Sequence, residues 1–211
     1  MTFDIKVAEE CNKDKWNEVV ALSPHGTIFH TWKWLKIVEK QTDSILYPLI
    51  AYQGTNIIGI YPIFLKKKGF INLAFSPPPK AYLIYLGPVI PNYENLKQDK
   101  KESIFIKLQD EVDRYLFSEL NCKYVRIRSS PGLFDSRPFT WSGYNVEPLY
   151  TYRINLTNGP AHVWENFDRQ LRVTINKTIR EGVIVENGNK EDMEFIHSSS
   201  SRRYIEQGLK P

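Results

Sequence analysis

Residues 46–68, LYPLIAYQGTNIIGIYPIFLKKK, constrain the fold more than any other stretch. Two runs rich in isoleucine, leucine, tyrosine and phenylalanine flank the short turn Gly54-Thr55-Asn56. β-Branched and aromatic side chains suit a pleated, half-buried surface, and a glycine in a short connection takes the positive φ that a tight reversal needs. The stretch reads as a β-hairpin, and an antiparallel pair in mid-chain argues against a purely parallel sheet.

The rest of the chain alternates strands with helices. FDIKVA (Phe3 to Ala8) reads as a strand, and DKWNEVVALS as a short helix stopped by Ser23-Pro24 and Gly26. Thr31 can cap a second helix, WKWLKIVEKQ, with Trp34, Leu35 and Val38 on one face and Lys33, Lys36 and Lys40 on another. Residues 69–93 hold a strand or two around the loop Pro77-Pro78-Pro79. Asp99 to Leu120 is an amphipathic helix with Ile104, Leu108, Val112, Tyr115 and Leu116 on its apolar stripe. KYVRIR (Lys123 to Arg128) and EPLYTYRINL read as strands on either side of a long loop, SSPGLFDSRPFTWSGY. A helix from about Ala161 to Arg180 follows, stopped by Gly182, then the short strand VIVEN and a last helix, EDMEFIHSSSSRRYIEQ. The expected class is α/β with a mixed sheet.

Composition narrows the function classes. Cys11 and Cys122 are the two cysteines, with no CxxC, so neither a structural zinc site nor a disulfide framework is expected. His25, His30, His162 and His197 have no metal-ligand spacing, and the expectation for metals is none. The formal charge of +4 permits an anionic ligand without demanding nucleic acid. The N-terminus has no apolar run of signal-peptide type, and no stretch approaches the length of a membrane span, so a soluble cytoplasmic protein is expected. GxGxxG, the P-loop, GxSxG and HExxH are absent.

Four constellations remain as candidates. In the helix around residues 161–180, Trp164, Phe167, Leu171, Ile175 and Ile179 fall on one face, expected to be buried. Arg169, Arg172, Asn176 and Arg180 fall on the far side. A row of planar guanidinium forks suits phosphate or carboxylate, and it serves equally as a solvated basic face. The lysine stripe containing Lys36 carries the same two readings. Tyr82 and Tyr85 before the Gly87-Pro88 bend either line a groove or pack. Asp135 and Arg137, on a loop after a strand, either serve a site or stabilise the loop as a pair.

In combination these pieces resemble a family. SPHGTIFHTWKWLKIVEKQ, the hairpin YPLIAYQGTNIIGIYPIFL, then YLGPVI, then RVTINKTIREGVIV, resemble in their order the FemABX-type peptidoglycan-bridge aminoacyltransferases and related GNAT-superfamily N-acyltransferases. AFSPPPKAYLIYLGPVI and SSPGLFDSRPFTWSGYNVEPLYTYRINL look like an archaeal branch of that group. The resemblance covers nearly the whole chain. It implies a GNAT-like, mostly antiparallel mixed sheet flanked by helices, and two such domains in tandem: the first at residues 1–187, with residues 188–211 as the opening helix of a second that the chain does not complete. It implies transfer of an aminoacyl or acyl group, from aminoacyl-tRNA or acyl-CoA, to an amine on a cell-envelope or nucleotide-linked acceptor, as in peptidoglycan biosynthesis.

Residue by residue, the resemblance places Lys36 at the family's diphosphate-binding lysine, Arg172 at the arginine that opens its R..I.K....GV motif, and Tyr85 at the aromatic before the Gly-Pro turn. Two departures matter. Leu86 stands where the peptidoglycan enzymes have arginine, and Pro91-Asn92 where they have an acid. The Q/R-x-x-G-x-G/A run that cradles the pyrophosphate of acyl-CoA is missing from the chain, so the donor site is expected in the further domain.

Acyl transfer needs a positioned amine, removal of its proton and stabilisation of an oxyanion. The chain offers anchors for an anionic acceptor (Lys36, Tyr85, Arg169, Arg172, Asp135 and Arg137) and no evident catalytic base, so the expectation is the acceptor-binding half of an N-acyltransferase, inactive alone. The alternative is a non-catalytic GNAT-like module that binds an envelope glycan or a protein. A weaker third reading has tRNA as partner through the arginine row.

Overall fold

The computed structural model describes residues 3–133 and 135–208. Phe134 of the expected long loop and the final Leu209, Lys210 and Pro211 lie outside the described residues. The chain divides into two compact units, Met1–Thr151 and Tyr152–Pro211.

The first unit is built on a five-stranded sheet in the order β1-β2-β3-β4-β5. The strands are β1 (Phe3–Val7), β2 (Ile45–Gln53), β3 (Asn56–Lys68), β4 (Ile71–Ser76) and β5 (Cys122–Ile127). The hairpin forms as expected: β2 and β3 pair antiparallel, Gln53 opposite Asn56, with Gly54 at φ +64° in the turn. β1 with β2, and β3 with β4, are also antiparallel, whereas β4 and β5 run parallel. The class is α/β with a mixed, mostly antiparallel sheet flanked by helices, as the sequence leads one to expect.

Alternation along β2 and β3 sends side chains into two cores. Leu46, Ile50, Ile60 and Phe64 pack with Trp16, Val19 and Val20 of α1 (Lys13–Leu22) and with Leu35 and Val38 of α2 (Trp32–Thr42). Leu49, Tyr61, Ile63 and Leu65 pack with Phe105, Leu108 and Val112 of α3 (Gln98–Arg114). A residue such as Phe64 or Phe105, fully buried, contributes about 1.5–3 kcal/mol by leaving water. The expected helix 99–120 is α3 followed by a wide turn over Tyr115–Glu119, in which the Leu120 amide donates to the Tyr115 carbonyl (3.0 Å). A five-residue helix, α4 (Arg137–Trp141), interrupts the expected loop.

In the second unit, α5 (Gly159–Asn166) and α6 (Arg169–Arg180) replace the expected continuous helix. Phe167 and Asp168 are extended between them, and the Asp168 carboxylate accepts the Leu171 amide (2.8 Å) as an N-cap. An aspartate favours this role over a helix interior, because its side chain competes with the backbone for the amide. The face expected to be buried is covered only in part: Trp164, Phe167 and Ile175 are half-buried, and Leu171 and Ile179 are 40% and 62% exposed. The expected strands at 147–156 and 183–187 are not strands and pair with no strand among the described residues. β-Prone side chains make a strand only where a neighbouring backbone completes the ladder. The last helix is α7 (Lys190–Glu206), capped by Asn189 with Asp192 in a reciprocal capping box. Residue 187, where the sequence places a boundary, lies between α6 and α7 and inside the second unit.

Candidate functional site

The parallel pair β4–β5 creates the site. β4 pairs with β3 at Phe64 through Phe75 and ends at Ser76, followed by a cis Ser76–Pro77 bond and the three prolines. Proline cannot donate to a ladder, so the chain leaves the sheet there. It returns at Leu86, whose amide donates to the Arg128 carbonyl (2.8 Å), and at Val89, which exchanges two 2.9 Å bonds with Ile60 of β3.

The departing loop is pinned from beneath. The buried Ser76 hydroxyl donates to the Pro62 carbonyl (2.6 Å) and accepts the Gly87 amide (3.0 Å). Gly87 is at φ +82° and lies so close to Ser129 that an added Cβ would sit 3.0 Å from its Cα. Position 87 therefore requires glycine twice over, for its conformation and for its space.

Between this loop and β5 lies an open cleft of about 270 Å³, with Phe75, Pro77, Pro78 and Tyr82 on its apolar side. Lys80, Arg126 and Arg128 supply its cations. Arg126 and Arg128 alternate onto one face of the strand, and Arg126 sits beside Phe75 in register. None of the three cations makes an ion pair among the described residues, and no described residue lining the cleft carries a carboxylate or an imidazole. The cleft stands at the carboxyl ends of parallel strands, where open α/β sheets commonly hold ligands. Its chemistry is that of an anion site with an apolar wall.

The expected site residues distribute as follows. Tyr82 lines the cleft and is 85% exposed. Tyr85 is half-buried with its ring against Phe29 (5.6 Å), which in turn meets Trp34. Asp135 and Arg137 follow β5, at the same end of the sheet as the cleft. Arg137 donates to both Asp135 oxygens (2.9 Å each) and to Glu102 (2.8 Å), and its guanidinium lies over the Trp141 ring. The hydrogen bond from Arg137 holds the Asp135 carboxyl below the usual range, and the two acids push the Arg137 guanidinium up.

Lys36, on α2, is paired with Glu39 (2.5 Å), whose second oxygen accepts the Leu46 amide (2.8 Å). Arg169 and Arg172 lie on α6 of the second unit, the first exposed and the second half-buried. Arg126, Arg128 and Lys80 were not among the expected site residues. The alternation in KYVRIR carried the signal for the two arginines, but joining them to Lys80 takes the parallel pairing of strands separated by all of α3.

Two titratable groups with shifted pKa values, the buried His30 and the half-buried Asp113, lie away from the cleft. The fully buried His30 takes the Thr27 amide (3.2 Å) and hydroxyl (3.0 Å) on Nδ1, and burial lowers its pKa to about 4. Its Nε2 lies towards the Leu86 carbonyl without a formed hydrogen bond. Asp113, near the C-terminus of α3, accepts from Tyr144 (2.5 Å) and Gln109 (2.9 Å), and burial raises its pKa. Because α3 carries the chain from the end of β4 back to the start of β5, Asp113 stands at the opposite end of the sheet from the cleft.

No family model matches the chain, and no curated protein matches it. Solved structures similar to it include a GNAT family acetyltransferase from Staphylococcus aureus subsp. aureus USA300_TCH1516 (16% identity, 73% of this chain and 100% of that one, TM-score 0.43). Others are a transcriptional regulator from Bacillus halodurans C-125 (14%, 72% and 100%, TM-score 0.43) and glucosamine-6-phosphate N-acetyltransferase from Arabidopsis thaliana (12%, 73% and 99%, TM-score 0.39). Similarity at this level carries neither a substrate nor a residue role to this chain.

Proposed function

We propose that this chain is the acceptor-binding part of an N-acyltransferase, and that the anionic group of its ligand, a diphosphate in the simplest case, sits among Lys80, Arg126 and Arg128. The observation that supports it is the convergence of three unpaired cations on one cleft at the carboxyl end of the parallel strand pair. The acyl-transfer half of the reading rests on the motif order that resembles FemABX-type enzymes, with acyl-CoA or aminoacyl-tRNA as donor and an amine on a cell-envelope or nucleotide-linked acceptor.

In such a reaction the acceptor nitrogen attacks the donor carbonyl, a proton leaves the nitrogen, and the thiol or the tRNA hydroxyl departs. The cleft contributes the first requirement, position: arginine forks fix the phosphates, and the wall of Phe75, Pro77 and Tyr82 takes the apolar part of the ligand. Lys36 belongs to the proposal as a further anion contact of the first unit, and Arg169 and Arg172 as a separate anion-binding pair on α6 of the second. Lys36 must exchange Glu39 for the ligand to take part.

A second reading, non-catalytic binding of an anionic envelope ligand, draws on the absence of carboxylate and imidazole among the described lining residues. Calorimetric titration with a uridine diphosphate sugar and with coenzyme A, each alone and in competition, tests the proposal. Binding of the diphosphate sugar, weakened tenfold or more in Arg126→Ala/Arg128→Ala, is the expected result. Binding of coenzyme A alone would move the cleft to the donor side. Failure of both ligands to bind would end the proposal, and binding without turnover by the full-length protein and any donor would favour the second reading.

A further inference from the structure

The hairpin that joins β3 to β4 projects an unusual tip. Lys68 pairs with Ile71 across a two-residue turn, Gly69–Phe70, with Gly69 at φ +59° and open space around it. Phe70 is fully exposed and Ile71 is 46% exposed. Lys66, Lys67 and Lys68 lead into the turn, and strand alternation sends Lys67 to the opposite face from the other two. Beside them, at the start of β5, stand Lys123 and the half-exposed Tyr124, because Asn72 pairs with Cys122 and Leu73 with Tyr124.

Among the described residues none of these lysines makes an ion pair. Lys123 donates to the Asn121 side chain (2.7 Å), and Glu119 is the acid nearest it in sequence. The Phe70 ring lies wholly in solvent at the apex of the turn, with lysines on either side of it in the structure. A cationic collar around an exposed aromatic fits one environment well: the headgroup region of an anionic bilayer, where lysines meet lipid phosphates and the ring enters the acyl boundary.

We infer that the β3–β4 tip is a peripheral docking point for an anionic lipid surface, engaged by Lys66, Lys67, Lys68 and Lys123 and by insertion of Phe70. The charge complementarity and the bare ring at one apex identify the occupant. A duplex nucleic acid, whose bases are already stacked, would use the lysines and leave the ring in water. The tip lies at the start of β4 and the cleft at its end, so a docked molecule keeps the Arg126–Arg128 cleft away from the lipid. The inference stands without the acyltransferase reading, since no residue is shared between them.

The experiment is co-sedimentation of the full chain with phosphatidylcholine–phosphatidylglycerol vesicles and with pure phosphatidylcholine vesicles, at low and high salt. Binding to the anionic vesicles alone is expected, falling with salt. Lys66→Gln/Lys67→Gln/Lys68→Gln should weaken it roughly 30- to 100-fold, and Phe70→Ser about five- to tenfold. Lys67, Lys68 and Phe70 are exposed and Lys66 is half-buried at the end of the hairpin, so unfolding curves should stay close to the parent's. Three results overturn the inference: no binding to anionic vesicles, equal binding to neutral ones, or vesicle binding indifferent to Phe70→Ser. Binding of a short DNA duplex that depends on the lysines, without vesicle binding, would assign the tip to nucleic acid instead.

Discussion

α3 and α6 carry apolar stripes of similar regularity, and they meet opposite fates. In α3 of the first unit, Phe105, Leu108 and Val112 are fully buried against the sheet. In α6 of the second unit, Leu171 and Ile179 stand in solvent, and no described residue of that unit is buried. Helical periodicity reports which side chains share a face; burial needs a second apolar surface opposite that face. The first unit is held by two cores, whereas α6 and α7 of the second are capped, by Asp168 and by the Asn189–Asp192 box, with their apolar residues at most half-buried.

The largest effect that can break this comparison is a core truncation. Phe64→Ala should cost about 3–5 kcal/mol in urea unfolding of the first unit. The corresponding loss on α6, Ile179→Ala, should stay within about 0.5 kcal/mol, as for an exposed surface position. Similar costs at the two sites would show that the stripe of α6 is covered in solution.

Next comes the acid side of the first unit. The folded-state pKa of His30, lowered to about 4, is below its unfolded value of 6.5, so between those pH values the unfolded chain binds the extra proton. Stability from this source is complete above pH 6.5 and declines as pH falls towards 4. The loss is on the order of 2–3 kcal/mol. Unfolding free energies measured across that window should slope upward with pH in the parent and flatten in His30→Asn. A slope unchanged in the variant would contradict the assignment.

Losses smaller than those of the core truncation and the His30 titration belong to the caps. Asp168→Ala and Asn189→Ala should each cost about 1 kcal/mol of helix stability, seen as faster amide exchange at Leu171 and at Asp192 respectively. Unaltered exchange at those amides would mean that something other than capping orders these helices.

The first unit was largely legible in the sequence. The hairpin, the strands at Phe3 and Lys123, and the helices at Trp32 and Asp99 follow from periodicity and turn residues, which are local properties. The break before Asp168 was missed because an unbroken apolar pattern across Trp164, Phe167 and Leu171 concealed a capping aspartate. The runs EPLYTYRINL and VIVEN have the side chains of strands, yet a strand also needs an edge to pair with, which no local pattern reveals. At the site, the bend at Gly87 was visible, but the convergence of Lys80 with Arg126 and Arg128 depends on the parallel register of β4 and β5.

The central claim is that this register builds an anion site. Titrating the full chain with inorganic pyrophosphate, in the parent and in Arg126→Ala/Arg128→Ala, tests it most directly. Saturable binding in the parent that weakens at least tenfold in the variant, with an unchanged unfolding midpoint, is the result the structure predicts. Equal binding in both proteins, or none in the parent, would contradict it.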